Sequence, residues 1–234
     1  MDFDDVIRVF SDEKSAWSPN LTEKDSVQSL AGLYQLYSAA IKEVRTKLEI
    51  LDSEFMLQYD HNPIHHIEHR LKSPNSISEK LSKRQLPFEP DVIWSEINDM
   101  AGVRVICSYI EDIYIISDFL LAQNGIELIR KKDFIETPKT SGYRSLHLVV
   151  SVPVFLSNGL KRAPVEIQIR TIAMDFWASL EHHLKYKTQR NIPEELRAEL
   201  SECANSIAVL DQKMQGIHKK IGEYDAVALH KDSE

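Results

Sequence analysis

Two β-rich runs, YRSLHLVVSVPV at 143–154 and a second at 163–170, flank the short segment Ser157-Asn158-Gly159, and this arrangement constrains the fold more than any other. Asn-Gly supplies the positive φ angles that tight hairpin turns need, so the runs are expected to pair antiparallel. Alternation then assigns their faces. In VEIQIRT (165–171), Val165, Ile167 and Ile169 make an apolar side, and Glu166, Gln168 and Arg170 project together from the other. In the first run Tyr143, Ser145 and His147 fall on one side, with Arg144, Leu146 and Leu148 opposite. A sheet with one wet face is the ordinary explanation for any single alternating strand. An aromatic, a histidine, an acid, an amide and a guanidinium on neighbouring strands are instead the makings of a substrate floor.

Further β-rich runs lie at 102–108 (GVRVICS) and 126–131, and helical patterns at 63–73, 76–84, 90–98, 111–123 and 172–187. The expected fold is therefore α/β (α+β): a mixed sheet of about five strands flanked by helices. Long helices are expected at both ends. Val27, Leu30, Tyr34, Tyr37, Ile41, Val44, Leu48, Leu51 and Phe55 step by three and four, as do Leu196, Leu200, Cys203, Ile207, Leu210, Met214, Ile217 and Ile221 after Pro193. Neither seam is stable alone in water; each must pack on the other, on the core or on another subunit. Narrow stripes at both ends favour a homo-oligomer. The chain divides into an N-terminal arm and long helix (1–60), a central domain (61–190), a C-terminal helix (191–222) and a polar tail (223–234).

The 234 residues, 43% of them hydrophobic, allow one large domain or two small ones with a sizeable core. A net charge of −8 argues against non-specific binding to DNA, RNA or anionic membrane, which rests on a broad basic surface. Cys107 and Cys203 lie far apart without metal-type spacing, the first residues are acidic where a signal peptide is basic, and no apolar run reaches membrane-spanning length. The chain reads as cytoplasmic.

Against that acidic background the cations gather in two places: Arg70, Lys72, Lys80, Lys83 and Arg84, then Arg130, Lys131, Lys132, Lys139 and Arg144. Two polyphosphate sites or two solvated faces both account for them. Asp99 precedes the Gly102 turn into a strand, and with Glu166 it could hold one Mg²⁺, an ion commonly bound by one or two carboxylates with water and phosphate completing its octahedron. His61, His65 and His69 have the i, i+4, i+8 spacing of a zinc-binding helix face, although Glu68 points elsewhere and nothing else completes a ligand shell, so solvent-facing histidines are the simpler reading.

HRLKSPNSISEK, DMAGVRV, RKKDFIETPKTSGYRSLHLVV, VEIQIRT and MDFWASLEHHLKYK, in that order over about residues 60–190, closely resemble the RelA/SpoT synthetase domain, in particular the single-domain small alarmone synthetases. The resemblance implies a nucleotidyltransferase-like mixed sheet and a Mg²⁺-dependent pyrophosphokinase, which moves the β,γ-pyrophosphate of ATP to the 3′-hydroxyl of GTP or GDP and releases AMP. It implies Asp99 and Glu166 as Mg²⁺ ligands, Glu166 also as the base. Arg70 and Arg104 would flank adenine, while Lys72, Ser76, Lys80 and Lys83 hold the ATP phosphates. On the acceptor side it implies Lys132, Lys139 and His147 at phosphate, Tyr143 stacked on guanine, and Gln168 and Asp175 close by. Asp175 either bonds the guanine edge or caps the following helix. The basic RKKD run leans toward GTP as acceptor, the absence of a His-Asp dipeptide implies no alarmone hydrolase, and relatives suggest a tetramer. Two alternatives are an oligomeric guanine-nucleotide-binding regulator with little turnover and a tRNA 3′-end pyrophosphokinase.

Overall fold

The computed structural model describes residues 23–188 and 193–231. The arm expected before residue 22 lies outside these. Helix α1 (Glu23–Gln58) carries the first apolar seam, and Tyr34, Tyr37, Val44 and Leu48 on it have no exposed surface. The seam packs against β1, β2, β4 and β5, so its partner is the chain's own core. Burying each large aliphatic there is worth about 1.5–3 kcal/mol, and cutting Leu48 to alanine would cost about 2–5 kcal/mol.

The sheet has five strands in the order β1-β2-β5-β4-β3. They are β1 (Ile64–Leu71), β2 (Ala101–Cys107), β3 (Glu127–Asp133), β4 (Leu146–Leu156) and β5 (Gly159–Thr171). The β4–β5 hairpin forms as expected, and β2 lies parallel to β5 while all other pairs are antiparallel, so the sheet is mixed. Only Gly159 takes a positive φ (116°) at the turn; Ser157 and Asn158 span it without one. Helix α2 (Pro74–Lys83) follows β1, and α3 (Pro90–Glu96) and α4 (Ile110–Leu121) bracket β2. Ser73 caps α2, accepting from the Ser76 N–H, and Pro74 sits in its first turn, where a missing N–H costs nothing. Ile113, Ile116 and Leu120 of α4 join α1 beneath the sheet, with Phe55 and Phe119 rings 5.5 Å apart at the seam between the helices. That leaves the other sheet face to the polar residues.

Helices α5 (Ile172–Thr188) and α6 (Glu194–Lys231) pack together beside this polar face. Trp177, Ala178 and Ala204 form a small separate apolar cluster against Tyr143 and Ile207. The second apolar seam is not the face of α6 that docks on the domain. Leu196, Cys203, Leu210, Met214, Ile217 and Ile221 are exposed, whereas Ala204 and Asp211, on a different stripe, face the protein. The same stripe continues through Gln215, which pairs with Glu111, and His218, which stacks on Tyr109 with ring centroids 4.1 Å apart. The helix runs to Lys231, through most of the segment expected as a polar tail.

The segment expected as a helix at 63–73 is strand β1. Ile64, Ile67 and Leu71 are spaced three and four apart, which mimics a helix, but β1 is an edge strand with a register shift between Ile64 and His66 that breaks strict alternation. The helical zinc face of His61, His65 and His69 is lost with it. His61 instead contacts the Asp112 carboxylate at 2.9 Å, and among the described residues no group of three or more His, Cys, Asp or Glu side chains could hold a metal. Among those residues, too, no helix is long and apolar enough to cross a membrane.

Candidate active site

Strand registers bring the polar side chains into two rows across the sheet. One row runs Glu68, Arg104, Gln168, His147, Lys132 through all five strands. The neighbouring row is Arg70, Gly102, Glu166, Val149, Arg130. Paired residues share a face, so the polar side chains from separate parts of the sequence form one floor. Glycine at 102 leaves the space between Arg70 and Glu166 open, and the Cβ it lacks would only touch the Arg70 side chain at 3.5 Å. Packing does not forbid a small side chain there.

Asp99, two residues before β2, reaches the same side. It and Glu166 line two adjoining clefts, one with Glu68, Arg70, Arg104 and Gln168 and the other with Lys80, Arg84, Asn98 and Arg130. The second, of about 280 Å³, lies just below the usual range of small-molecule sites, about 300–1,000 Å³, and four of its lining residues carry charge besides Asp99 and Glu166. Lys72 Nζ lies 2.6 Å from one Asp99 oxygen and Lys80 Nζ 2.8 Å from the other. Burial pushes the Asp99 carboxyl up, but hydrogen bonds and charge from these two lysines more than offset it and hold it below the usual carboxylate range. Glu166 behaves alike: burial raises it and so does the nearby Asp99, but the contact with His147 and the Gln168 amide outweigh both and hold it below the usual range. Both acids are ionised at neutral pH.

On the hairpin, Glu166 sits in a ring of contacts with His147 (Nδ1 to Oε1, 3.4 Å), Tyr143 and Gln168 (Nε2 to Oε2, 3.1 Å), closed by Arg170. Lys139 Nζ lies 4.5 Å from the centroid of the Tyr143 ring and 4.6 Å from that of Phe134. Asp175 lies in the first turn of α5, yet the cap there is Thr171, whose hydroxyl accepts from the Met174 N–H. Asp175 instead meets Arg170 at 3.1 Å and Arg104 at 3.4 Å, so the capping alternative falls away.

Most of the expected site residues thus converge. Arg70, Arg104, Asp99, Glu166, Gln168 and Lys80 line the clefts, and Lys72, His147, Tyr143, Lys139 and Asp175 adjoin them through the contacts above. Lys132 stands beside His147 in the register and is exposed. Ser76 contacts the Ser73 hydroxyl at the start of α2, and Lys83 is exposed at its end; neither lines a cleft, and Arg84 occupies the position next to Lys83 that does. Glu68, expected to point elsewhere, bonds Arg104 at 3.0 Å on the cleft wall. Arg130 was visible only as part of a basic run; its place in the Glu166 row follows from a register shift between Leu128 and Arg130 that composition does not reveal.

Two acids, a divided set of cations and an aromatic platform on the open face of a mixed sheet suit transfer between two phosphate-bearing ligands, a chemistry that rests mainly on alignment and charge neutralisation. The family follows from comparison. The family described as "Region found in RelA / SpoT proteins" matches residues 69–191, and the chain belongs to it. It is 44% identical over 186 residues to GTP pyrophosphokinase YwaC of Bacillus subtilis (strain 168), covering 80% of this chain and 89% of that protein. The structure of small alarmone synthetase 2 from B. subtilis superimposes with a TM-score of 0.75 at 42% identity, over 82% of this chain and 99% of that one. Small alarmone synthetase 1 from B. subtilis, solved bound to its product pppGpp, gives a TM-score of 0.74 at 37% identity, over 79% of this chain and 94% of that one.

Proposed function

We propose that this chain is a (p)ppGpp synthetase that transfers the β,γ-pyrophosphate of ATP to the 3′-hydroxyl of GTP or GDP, releasing AMP, in alarmone synthesis for the stringent response. The observation that carries this reading is the convergence of Asp99, just before β2, and Glu166, within β5, on two adjoining clefts flanked by cations. Relatives named GTP pyrophosphokinase support it.

Glu166 takes the proton of the 3′-hydroxyl, the freed oxygen forms its bond to the β-phosphorus of ATP, and the bond from that phosphorus to the α-phosphate oxygen breaks. AMP leaves with the electron pair. Lys72, Lys80 and Arg130 neutralise the donor phosphates, and Lys132 and Lys139 serve the acceptor's. The guanidinium groups of Arg70 and Arg104 flank the donor base, since a planar cation can stack where an ammonium only attracts. Tyr143 stacks on the acceptor base, and Asp175 offers its edge two acceptor oxygens that match guanine's adjacent donors. Asp99 and Glu166 suit Mg²⁺, which needs only one or two carboxylates beside phosphate and water; when bound it neutralises charge on the transferring group.

The reading includes cytoplasmic action and a homo-oligomer, proposed as a tetramer. The exposed apolar stripe of α6 supports self-association, because an unpartnered row of Leu210, Met214, Ile217 and Ile221 is costly in water. Purified protein incubated with ATP, GTP and Mg²⁺ is expected to give AMP and a guanosine pentaphosphate in equal amounts. Saturable GTP binding with neither product would transfer the case to a nucleotide-binding regulator.

A further inference from the structure

Arg170 is the one buried cation among the described residues, 5% exposed, and its bonds have a direction. A guanidinium carries donors only, so every contact it makes fixes its partner as an acceptor. Nη2 donates to the Tyr143 hydroxyl oxygen at 2.6 Å and to Gln168 Oε1 at 2.7 Å. The Tyr143 hydroxyl, accepting there, keeps its own proton for a second partner, and His147 Nε2 lies 2.8 Å away. With Nε2 as the acceptor, the His147 proton sits on Nδ1, the nitrogen 3.4 Å from Glu166 Oε1. Gln168, its oxygen turned to the guanidinium, gives an amide N–H to Glu166 Oε2 at 3.1 Å. Two chains of contacts that start on one nitrogen thus reach the two oxygens of one carboxylate, one through the Gln168 hydrogen bond and the other through the 3.4 Å approach of His147.

A structural ion pair with Asp175 accounts for only part of this, because that bond uses Nη1, while both Nη2 bonds go to neutral groups leading to Glu166. We propose that Arg170 is a positioning residue: touching neither nucleotide, it fixes the tautomer of His147, the tilt of Tyr143 and the orientation of the Glu166 carboxylate. The base and the stacking platform are thereby held in register for the acceptor. This rests on the roles of Glu166 and Tyr143 given above.

Arg170→Lys keeps the charge but cannot supply the fork. It is expected to melt within a few degrees of the parent, lower kcat/KM for GTP about 100-fold and leave the Kd of a non-hydrolysable ATP analogue within about twofold. In a Tyr143→Phe, Gln168→Met background, where both arms are already cut, the same change should add less than about twofold. A full additional loss in that background overturns the proposal. Should Arg170→Lys fail to fold, the two arm variants decide: each must lower kcat/KM for GTP with the ATP-analogue Kd unchanged, and unaltered kcat/KM in both overturns it. Nitrogen-15 shifts of His147 give a readout without turnover, expected to show Nδ1 protonated and Nε2 bare in the parent and mixed tautomers in Arg170→Lys. Parent protein that made no AMP yet showed this tautomer would sink the reaction and keep the positioning role; mixed tautomers in an active parent would do the reverse.

Discussion

Lys72 reaches across from the end of β1 to place its ammonium 2.6 Å from the Asp99 carboxylate, and Lys80 approaches the other oxygen from α2. The acid therefore ties strand and helix together through two cations that the proposed donor phosphates also need. Lys72→Met is expected to raise KM for ATP about tenfold or more while KM for GTP stays within about twofold, read from initial rates of AMP release. Stability changes with it. With its carboxyl held low, Asp99 contributes stability that is present above its unfolded value and lost as pH falls through the folded one. The variant leaves Asp99 its burial and removes one cation, so acid unfolding should begin at higher pH than in the parent. An unchanged acid limb would show that Lys80 alone neutralises Asp99.

Glu166→Gln keeps the size of the side chain and an oxygen for the Gln168 amide, but removes the proposed proton acceptor. Turnover should fall at least about 100-fold with KM for both nucleotides changed only a fewfold, since proton transfer typically contributes about 10²–10⁴. Single-turnover mixing with radiolabelled ATP separates the chemical step from binding. Near-normal rates would place the base elsewhere.

How much of this was legible in the sequence differs from strand to strand. The β4–β5 hairpin was, because Val165, Ile167 and Ile169 alternate strictly with Glu166, Gln168 and Arg170 on a strand apolar on one side and polar on the other. β1 was not: as an edge strand only its two end residues, Ile64 and Leu71, are fully buried, and that spacing says helix as readily as strand. The inward face of α6 was invisible for another reason. Hydrophobicity pointed to Leu210, Met214 and Ile217, while the docked residues are a small one, Ala204, and a polar one, Asp211, chosen for close approach and a hydrogen bond. The site residues were named chiefly by motif resemblance; the ring that joins them depends on registers between strands, which no single stretch encodes.

Gly142 sits at φ 87° immediately before Tyr143, with its open side against α6, where an added Cβ would collide with the Ala204 methyl. Gly142→Ala thus combines backbone strain with overpacking, for a cost of about 2–4 kcal/mol in denaturant unfolding. Ala204→Gly in the same chain should relieve the collision but not the strain, recovering roughly half. KM for GTP should rise with the loop displacement. A Gly142→Ala protein as stable as its parent would mean the loop does not rest on α6.

Asp211 fixes α6 to the domain by accepting from the Thr171 hydroxyl at 2.5 Å, and Thr171 in turn caps α5. Burial pushes the Asp211 carboxyl above its ordinary value, and neither the Thr171 hydroxyl nor the charge of Arg144 fully offsets it. An acid raised on folding binds its proton more readily in the folded chain. Its stabilising contribution is therefore complete below the unfolded value and lost as pH rises through the folded one, leaving a charged carboxylate penalised at neutral pH. Asp211→Asn retains an oxygen for Thr171 and carries no charge to bury. At pH 7 it should melt higher than the parent. Below the ordinary carboxylate range the parent's Asp211 is itself neutral, so the two melting curves should converge there. Melting temperatures of both proteins from pH 3.5 to 8 decide the matter: a variant less stable at pH 7 would mean that the charge, through Arg144, holds the helix in place.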